Sequence, residues 1–344
     1  MADLSTRLAG LTLRNPVIAA SCEYTMTERG ILACIDAGAG AVIAKSINEV
    51  PAAARQLDVA DYTLLDSGLS RTPWETATGH ETLFNRSGLA QTGVDDWMAT
   101  LDRTQRYAAA RGAAVIGSVT VASADGAAEL AARMAEAVPA VEINIGAPHG
   151  REASAVRQLT EADGVAHYIR TVRAAVDCPV IVKLPGQASD IPGMARAAVD
   201  NGADAVAMIG RLNGFVPDLE TWEPELGSWG AVGGPWMLPV SLYWLSKCYR
   251  HLSGTVPLIG TNGARGGLDV ARFLLSGAHA VELASLLLLK GASALTEVLS
   301  DLNAYLDAHG VDRVSDVIGA SVHRAREYGE IEPLVPARRP WPQP

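Results

Sequence analysis

Short apolar runs punctuate the chain, each preceded by an alanine-rich stretch and closed by polar residues. One phrase recurs where such a run begins: Gly38-Ala39-Gly40-Ala41-Val42, Gly202-Ala203-Asp204-Ala205-Val206 and Gly277-Ala278-His279-Ala280-Val281. Glycine suits the left-handed position just past a helix C-terminus. The small and β-branched residues that follow suit a strand buried on both faces. Each phrase is therefore read as a helix-to-strand joint, with Ala137-Val138-Pro139-Ala140-Val141 as a looser copy.

Reading outward from these joints predicts eight strands, over 16–21, 41–46, 114–121, 140–146, 179–186, 205–210, 256–261 and 280–285. Helical stretches separate nearly all of them, which implies a parallel sheet with right-handed crossovers. Eight such units close into a barrel. The predicted fold is thus α/β, a single (β/α)8 barrel over residues 1–344. A doubly wound open sheet is the alternative, but it would usually carry G-x-G-x-x-G after its first strand, and none follows there. Residues 3–14 alternate like a small hairpin capping the barrel's bottom. Residues 47–93 and the Gly-, Pro- and Trp-rich insertion 211–238 are longer than a plain barrel needs. They are expected at the C-terminal face, where long loops shape active sites or interfaces. The tail 333–344, with five prolines, is expected to run extended over the surface.

Composition narrows the functional class. Hydrophobic residues make up 49% and charged residues 19% of 344 residues, enough for a large core and too little charge for disorder. A net charge of -10 with no basic run argues against nucleic acid or an anionic membrane as partner. Cys22, Cys34, Cys178 and Cys248 are scattered without a C-x-x-C pair, so neither a metal site nor a disulfide framework is expected. The pattern suits a reducing cytoplasm, and the first ten residues show no signal peptide. The most apolar stretch, 280–289, contains Glu282 and is too short for a bilayer. It reads as a buried strand running into a helix.

In such a barrel, chemistry sits at the C-terminal strand ends. Those ends carry Ser21, Lys45, Ser46, Asn144, Lys183, Thr261, Asn262 and Ser285. A lysine there either reaches solvent at the rim or faces a ligand. Two, Lys45 and Lys183, at matching ends of apolar strands point to an anionic or electron-rich ligand. Gly260-Thr261-Asn262-Gly263-Ala264-Arg265-Gly266-Gly267 follows strand seven. It is read either as a tight turn or, at this place in a barrel, as a phosphate loop.

Eight motifs then occur in order: Ala20-Ser21, Ala44-Lys45-Ser46, Asn85-Arg86-Ser87-Gly88-Leu89, Asn144-Ile145-Gly146-Ala147-Pro148-His149, Val182-Lys183-Leu184-Pro185, Gly233-Gly234, Ile259-Gly260-Thr261-Asn262-Gly263 and Leu283-Ala284-Ser285. With Leu11-Thr12-Leu13-Arg14-Asn15-Pro16 ahead of them, the chain resembles class 1 dihydroorotate dehydrogenases to about Leu289. The barrel half of dihydropyrimidine dehydrogenase is similar. The resemblance implies FMN. It places Ala20 and Ser21 along the flavin, Lys45 (with Ser46 beside it) between flavin and substrate, and Asn144 on flavin or substrate. It puts Lys183 at the N1 side of the ring, where it would stabilise negative charge. Gly233, Gly234, Asn262, Gly263, Ala284 and Ser285 would hold the phosphate, and Asn85, Gly88 and Leu89 would belong to the substrate loop. It also implies a homodimer acting on a small molecule.

The departures matter as much. The family motif has Cys or Ser, the proton acceptor, where this chain has Ala147, which cannot accept a proton. The family's Asn after the Pro is His149 here, and its Asn-Ser or Asn-Thr after strand six is Gly210-Arg211. His149, with an ordinary pKa of ~6.5, suits proton transfer near neutrality or is a structural loop histidine. Arg211 either clamps an anion bidentately or forms a rim salt bridge. Cys22 contacts flavin or fills space, and Glu23 and Tyr24 are weaker acid–base candidates. The expected function is an FMN-dependent oxidoreductase acting on a C–C or C–N single bond of a small anionic substrate. Orthodox dihydroorotate oxidation, a non-redox isomerase or lyase, and a flavin-binding pseudoenzyme are the alternatives. The electron acceptor stays open between oxygen, a small organic acceptor and a partner subunit. Trp222, Trp229, Trp236 and Trp244 line either an aromatic pocket or an interface.

Overall fold

The structure is a computed structural model and describes residues 2–50, 55–120, 122–146, 159–335, 338 and 340–341. Ala147 and His149 lie outside the described residues.

A hairpin of β1 (Thr6–Leu8) and β2 (Leu11–Leu13) opens the chain, followed by β3 (Val17–Ala19) and β4 (Ala41–Ile43). The first long loop supplies β5 (Asp61–Leu65), β6 (Arg71–Thr72) and β7 (Thr82–Arg86). Then come β8 (Ala114–Thr120), β9 (Val141–Asn144), β10 (Val180–Lys183) and β11 (Ala205–Met208). The second long loop supplies β12 (Leu212–Gly214) and β13 (Gly230–Gly233), before β14 (Leu258–Thr261) and β15 (Ala280–Leu283). Strands β3, β4, β8, β9, β10, β11, β14 and β15 form a closed, all-parallel barrel. All eight predicted strands are present. Most stop two or three residues short of the predicted C-terminal limit, although single backbone hydrogen bonds from Ala20, Ala44, Ile145 and Leu184 to the neighbouring strand carry the pattern past the strand ends.

The three repeated joints behave alike. Gly38, Gly202 and Gly277 sit at φ 105°, 105° and 108°. The next amide in each bonds back into the preceding helix, Ala39 to Cys34, Ala203 to Ala198 and Ala278 to Phe273. This is the Schellman ending that makes glycine the natural residue there.

Inward-facing positions alternate with period two, as a barrel strand requires. The lower interior is an apolar plug of Ile18, Ile43, Ile116, Ile181 and Ile259 with six alanines, closed from below by Leu8, Ala9 and Leu13 of the hairpin turn and strands. The predicted bottom cap is therefore in place. Helices α1 (Glu28–Asp36), α2 (Val94–Ala109), α3 (Ala124–Ala135), α4 (Ala162–Ala175), α5 (Ile191–Asp200), α6 (Leu238–His251), α7 (Gly267–Leu275), α8 (Ser285–Lys290) and α9 (Ala294–Ala308) surround the barrel. The apolar stretch 280–289 is indeed a strand running into a helix, β15 into α8.

The two long loops are one structure. Strands β12, β13, β7, β5 and β6 pair antiparallel into a five-stranded sheet. It has a small core of its own, Leu65, Phe84, Val216 and Leu226. The sequence marked both loops as long but gave no sign that they pair, since their contacts are separated by more than a hundred residues. Trp222 (87% exposed) and Trp229 (76% exposed) lie on the outside of this part of the molecule. Trp236 is also exposed, and none of the four tryptophans lines the mouth of the barrel. The aromatic-pocket reading of that loop fails for the described residues. The tail residues Leu334 and Val335 are exposed, and most of the tail beyond them lies outside the described residues.

Candidate active site

Two residues above the apolar plug, the same inward rows become polar. Ile116 is followed by Ser118 and Thr120, Ala140 by Glu142 and Asn144, and Ile181 by Lys183. Likewise Ile43 is followed by Lys45, Ile259 by Thr261 and Ala280 by Glu282. The β-sheet register thus puts a layer of charged and hydroxyl groups at the top of the barrel, under the five-stranded sheet. A cleft, open at its mouth, lies over this layer.

The cleft collects the expected residues. Ala20, Ser21, Lys45 and Ser46 line it from β3 and β4, and Asn144 and Lys183 from β9 and β10. Arg211 enters after β11, and Gly88 and Leu89 after β7. Gly233, Gly234, Asn262, Gly263, Ala284 and Ser285 form the opposite end. Asn85 does not line it. Its side chain is fully buried, donates to the Ala231 carbonyl at 3.4 Å and accepts from Arg211 Nη1. His149 lies outside the described residues.

At the glycine-rich end, the backbone amides of Gly234, Gly263, Ala264 and Ala284 donate no hydrogen bond among the described residues. Unpaired amides converging on a cleft form an anion site. A Cβ on Gly263, at φ 104°, would lie 2.5 Å from the Leu238 nitrogen, so this loop has no room for a larger residue. This cradle fits a phosphate group.

On the other side, charges are paired in a defined way. Lys45 Nζ donates to Glu23 Oε1 at 2.7 Å. Burial alone would raise the Glu23 pKa, but the charge and hydrogen bond of Lys45 outweigh it and hold it below its ordinary value. Arg211 Nη1 and Nη2 donate to Asn85 Oδ1 and to Ser87 Oγ (2.8 Å for the latter). Both partners are neutral, and no carboxylate lies within ion-pair distance of Arg211 among the described residues. Burial pulls its guanidinium down from the usual range, with Glu23 opposing, yet arginine stays charged. Beside it the buried Tyr62 hydroxyl faces the Glu23 carboxylate, and burial followed by Glu23 pushes its phenol up.

Beneath the cleft, Lys183 Nζ makes an ion pair with Glu282 and lies 3.6 Å from Glu142 Oε2. Burial opposes the Lys183 charge, but the two carboxylates outweigh it and push the ammonium up to about 12. Burial, and then Glu142, raise Glu282 against the pull of Lys183, to about 7.

The sequence missed Glu142, Glu282, Tyr62, Gln56 and Thr120. Strict period-two counting back from Asn144 and Ala284 would have turned both glutamates inward. Tyr62 and Gln56 had no signal, because they arrive from the long loop. Glu23, a weaker candidate, is in the site. Tyr24 is not, since its hydroxyl accepts from the Ala292 amide at 3.2 Å. Cys22 is core, its thiol pushed up to about 11 by burial.

A closed parallel barrel with an amide cradle and cationic side chains at its C-terminal mouth defines a barrel enzyme of phosphate-bearing ligands. A family model described as Dihydroorotate dehydrogenase matches residues 70–306, more than half of the chain. The catalytic subunit of dihydroorotate dehydrogenase B (NAD(+)) from Desulforudis audaxviator is 32% identical over 92% of this chain and 96% of its own. The corresponding subunit of Thermoplasma acidophilum is 27% identical over 94% and 100%. A crystal structure of DHODH in complex with ferulenol from Eimeria tenella superposes with a TM-score of 0.74 at 20% identity, covering 94% and 89%, and shares the fold. The chain belongs to the dihydroorotate dehydrogenase family, as a class 1, FMN-dependent type of oxidoreductase. No helix among the described residues is long and apolar enough to cross a membrane.

Proposed function

We propose that this protein binds FMN in the cleft and transfers hydride between flavin N5 and a small anionic substrate held by Arg211. The observation that carries the reading is the environment of Arg211: a charged, largely enclosed guanidinium fixed by Asn85 and Ser87 and lacking a carboxylate partner. Leaving such a group without a counter-ion is costly, and an anionic substrate supplies one. When bound, FMN supplies the two-electron acceptor chemistry. Gly234, Gly263, Ala264 and Ala284 would hold its phosphate by their free amides, and Ala20, Ser21 and Asn144 would flank its ring. Lys183 would offset negative charge at the N1 side. Lys45, held by Glu23, would orient rather than neutralise the substrate. Asn85 acts through Arg211, and Gly88 and Leu89 close the substrate side. His149 would move the proton that Ala147 cannot accept. The working form is a cytoplasmic homodimer.

Orthodox oxidation of dihydroorotate is the second reading, favoured by relatives bearing that activity in their names across 92% of the chain. The deciding experiment is the visible spectrum of the protein without oxygen, before and after dihydroorotate. Rapid bleaching of a flavin band supports the orthodox reaction. A persistent band supports FMN with another anionic substrate. Absence of a band even after FMN is added back overturns the proposal.

A further inference from the structure

The anion-handling side of the cleft leaves one buried cluster without a role. Glu142 on β9 and Glu282 on β15 are essentially inaccessible, and they share a single cation, Lys183 on β10. Two carboxylates and one ammonium leave a net negative charge at the buried floor of the cleft, where like charges repel strongly. Glu142 Oε2 and Glu282 Oε1 also lack a hydrogen-bond donor among the described residues. One proton held between the two carboxylates would cancel the excess charge and give an orphaned oxygen its partner.

A path to that proton is built. Ser118 Oγ donates to Glu142 Oε1 at 2.9 Å. Ser46 Oγ lies 2.8 Å from Ser118 Oγ, and Ser21 Oγ lies 3.1 Å from Ser46 Oγ. Because Ser118 spends its hydrogen on Glu142, Ser46 is left to donate to Ser118, and Ser21 to Ser46. All three links point from the cleft toward the carboxylates. Ser46 and Ser118 are buried, whereas Ser21 is half-buried and lines the cleft.

We propose that the Glu142–Glu282 pair takes up one proton through the Ser21–Ser46–Ser118 hydroxyl chain when negative charge is placed on the bound cofactor, and returns it when that charge leaves. The inference rests on the FMN reading. Electrons come from the substrate; the pair supplies none. Each hydroxyl accepts a proton on one side and passes one on at the other, so only O–H bonds form and break, and solvent at the cleft is the source. The groups facing the pair are Lys183 from β10, Ser118 from β8 and Thr261, which pairs beside Glu282 from β14. Arg211 adds positive charge from beyond β11. A singly protonated pair brings the cluster with Lys183 to neutrality and removes its repulsion of the cofactor's added charge. Glu142, Glu282 and Ser118 are positioning residues in this scheme.

Two measurements on FMN-loaded protein test it. Infrared difference spectra, reduced minus oxidised, should gain the carbonyl band of a neutral carboxylic acid, and Glu282→Gln and Glu142→Gln should each lose it. The flavin reduction potential should change its pH slope near neutrality in the parent, and Glu282→Gln should lose that break while its potential rises most at alkaline pH. Ser118→Ala should keep the band and slow its appearance after rapid photoreduction. A flavin-loaded parent without the band, or a Glu282→Gln potential offset equally at every pH, overturns the inference alone. A protein that takes up no FMN overturns the cofactor reading and the inference with it. If one glutamine variant fails to fold, the parent spectrum and the other variant still decide.

Discussion

Lys45 Nζ and Glu23 Oε1 are 2.7 Å apart, so one of the two cations facing the substrate side is already paired within the protein. Arg211 is then the cation left for an incoming anion. Glu23→Gln should remove this internal competition and tighten binding of carboxylate ligands, read as a lower Kd by flavin spectral titration. A pH effect follows from the same pair. Lys45 holds the Glu23 carboxyl below its ordinary value of 4.5 despite burial. A depressed carboxylate contributes stability that is present above the unfolded value and lost as pH falls through the lower folded value. The parent should therefore lose more Tm than Glu23→Gln on acidification below about pH 4.5. Parallel Tm curves would refute the pairing.

Arg211→Ala should weaken substrate binding while leaving FMN in place. A hydrogen-bonded pair with a charged group is worth roughly 1.5–3 kcal/mol, so KM or Kd should rise on the order of 10- to 100-fold. Asn85→Ala should reproduce part of the effect, because Asn85 Oδ1 accepts from Arg211 and aims it. Loss of flavin from Arg211→Ala would move this residue to the cofactor side.

The fold was legible because its signals are local. Gly38, Gly202 and Gly277 mark the joints, and each following apolar run has a length suited to a buried strand. Strand ends were overextended at Lys45-Ser46 and Ser285, where a polar group turning into the mouth looks in sequence like one more strand residue. The ligand end of the site was legible for the same reason, since Asn262-Gly263 and Gly233-Gly234 are short contiguous motifs. What could not be read was the five-stranded sheet, whose β13 pairs with β7 across a separation only tertiary structure bridges. With it went Tyr62 and the role of Asn85. The buried glutamates were hidden differently. Glu282 served only to argue against a membrane span, although its alternation with Ala280 already turned it inward.

Gly263→Ala should abolish FMN retention without unfolding the barrel. The residue is at φ 104°, where a side chain is strained, and an added Cβ would meet the Leu238 backbone at 2.5 Å. The loop must shift, and the amides of Gly263 and Ala264 shift with it. Purified variant protein should lack the flavin absorbance and keep the far-ultraviolet spectrum of the parent. Full flavin occupancy in the variant would place the phosphate elsewhere.

The most direct test of the chemistry is at Ala147. In the family motif this position carries the Cys or Ser that accepts the substrate's proton, and a methyl group cannot. General acid–base catalysis contributes about 10²–10⁴ in rate. If the remaining cleft still recognises dihydroorotate, Ala147→Ser or Ala147→Cys should accelerate anaerobic flavin bleaching by that substrate on this scale. His149→Ala should then matter little to the restored reaction. If His149 has taken over proton transfer for a different anion, the Ala147 variants gain nothing with dihydroorotate. His149→Ala should then cost a similar factor in kcat with the true substrate while leaving KM nearly unchanged. The rate with the parent should fall as pH drops below about 6.5, where an ordinary histidine protonates and can no longer accept a proton.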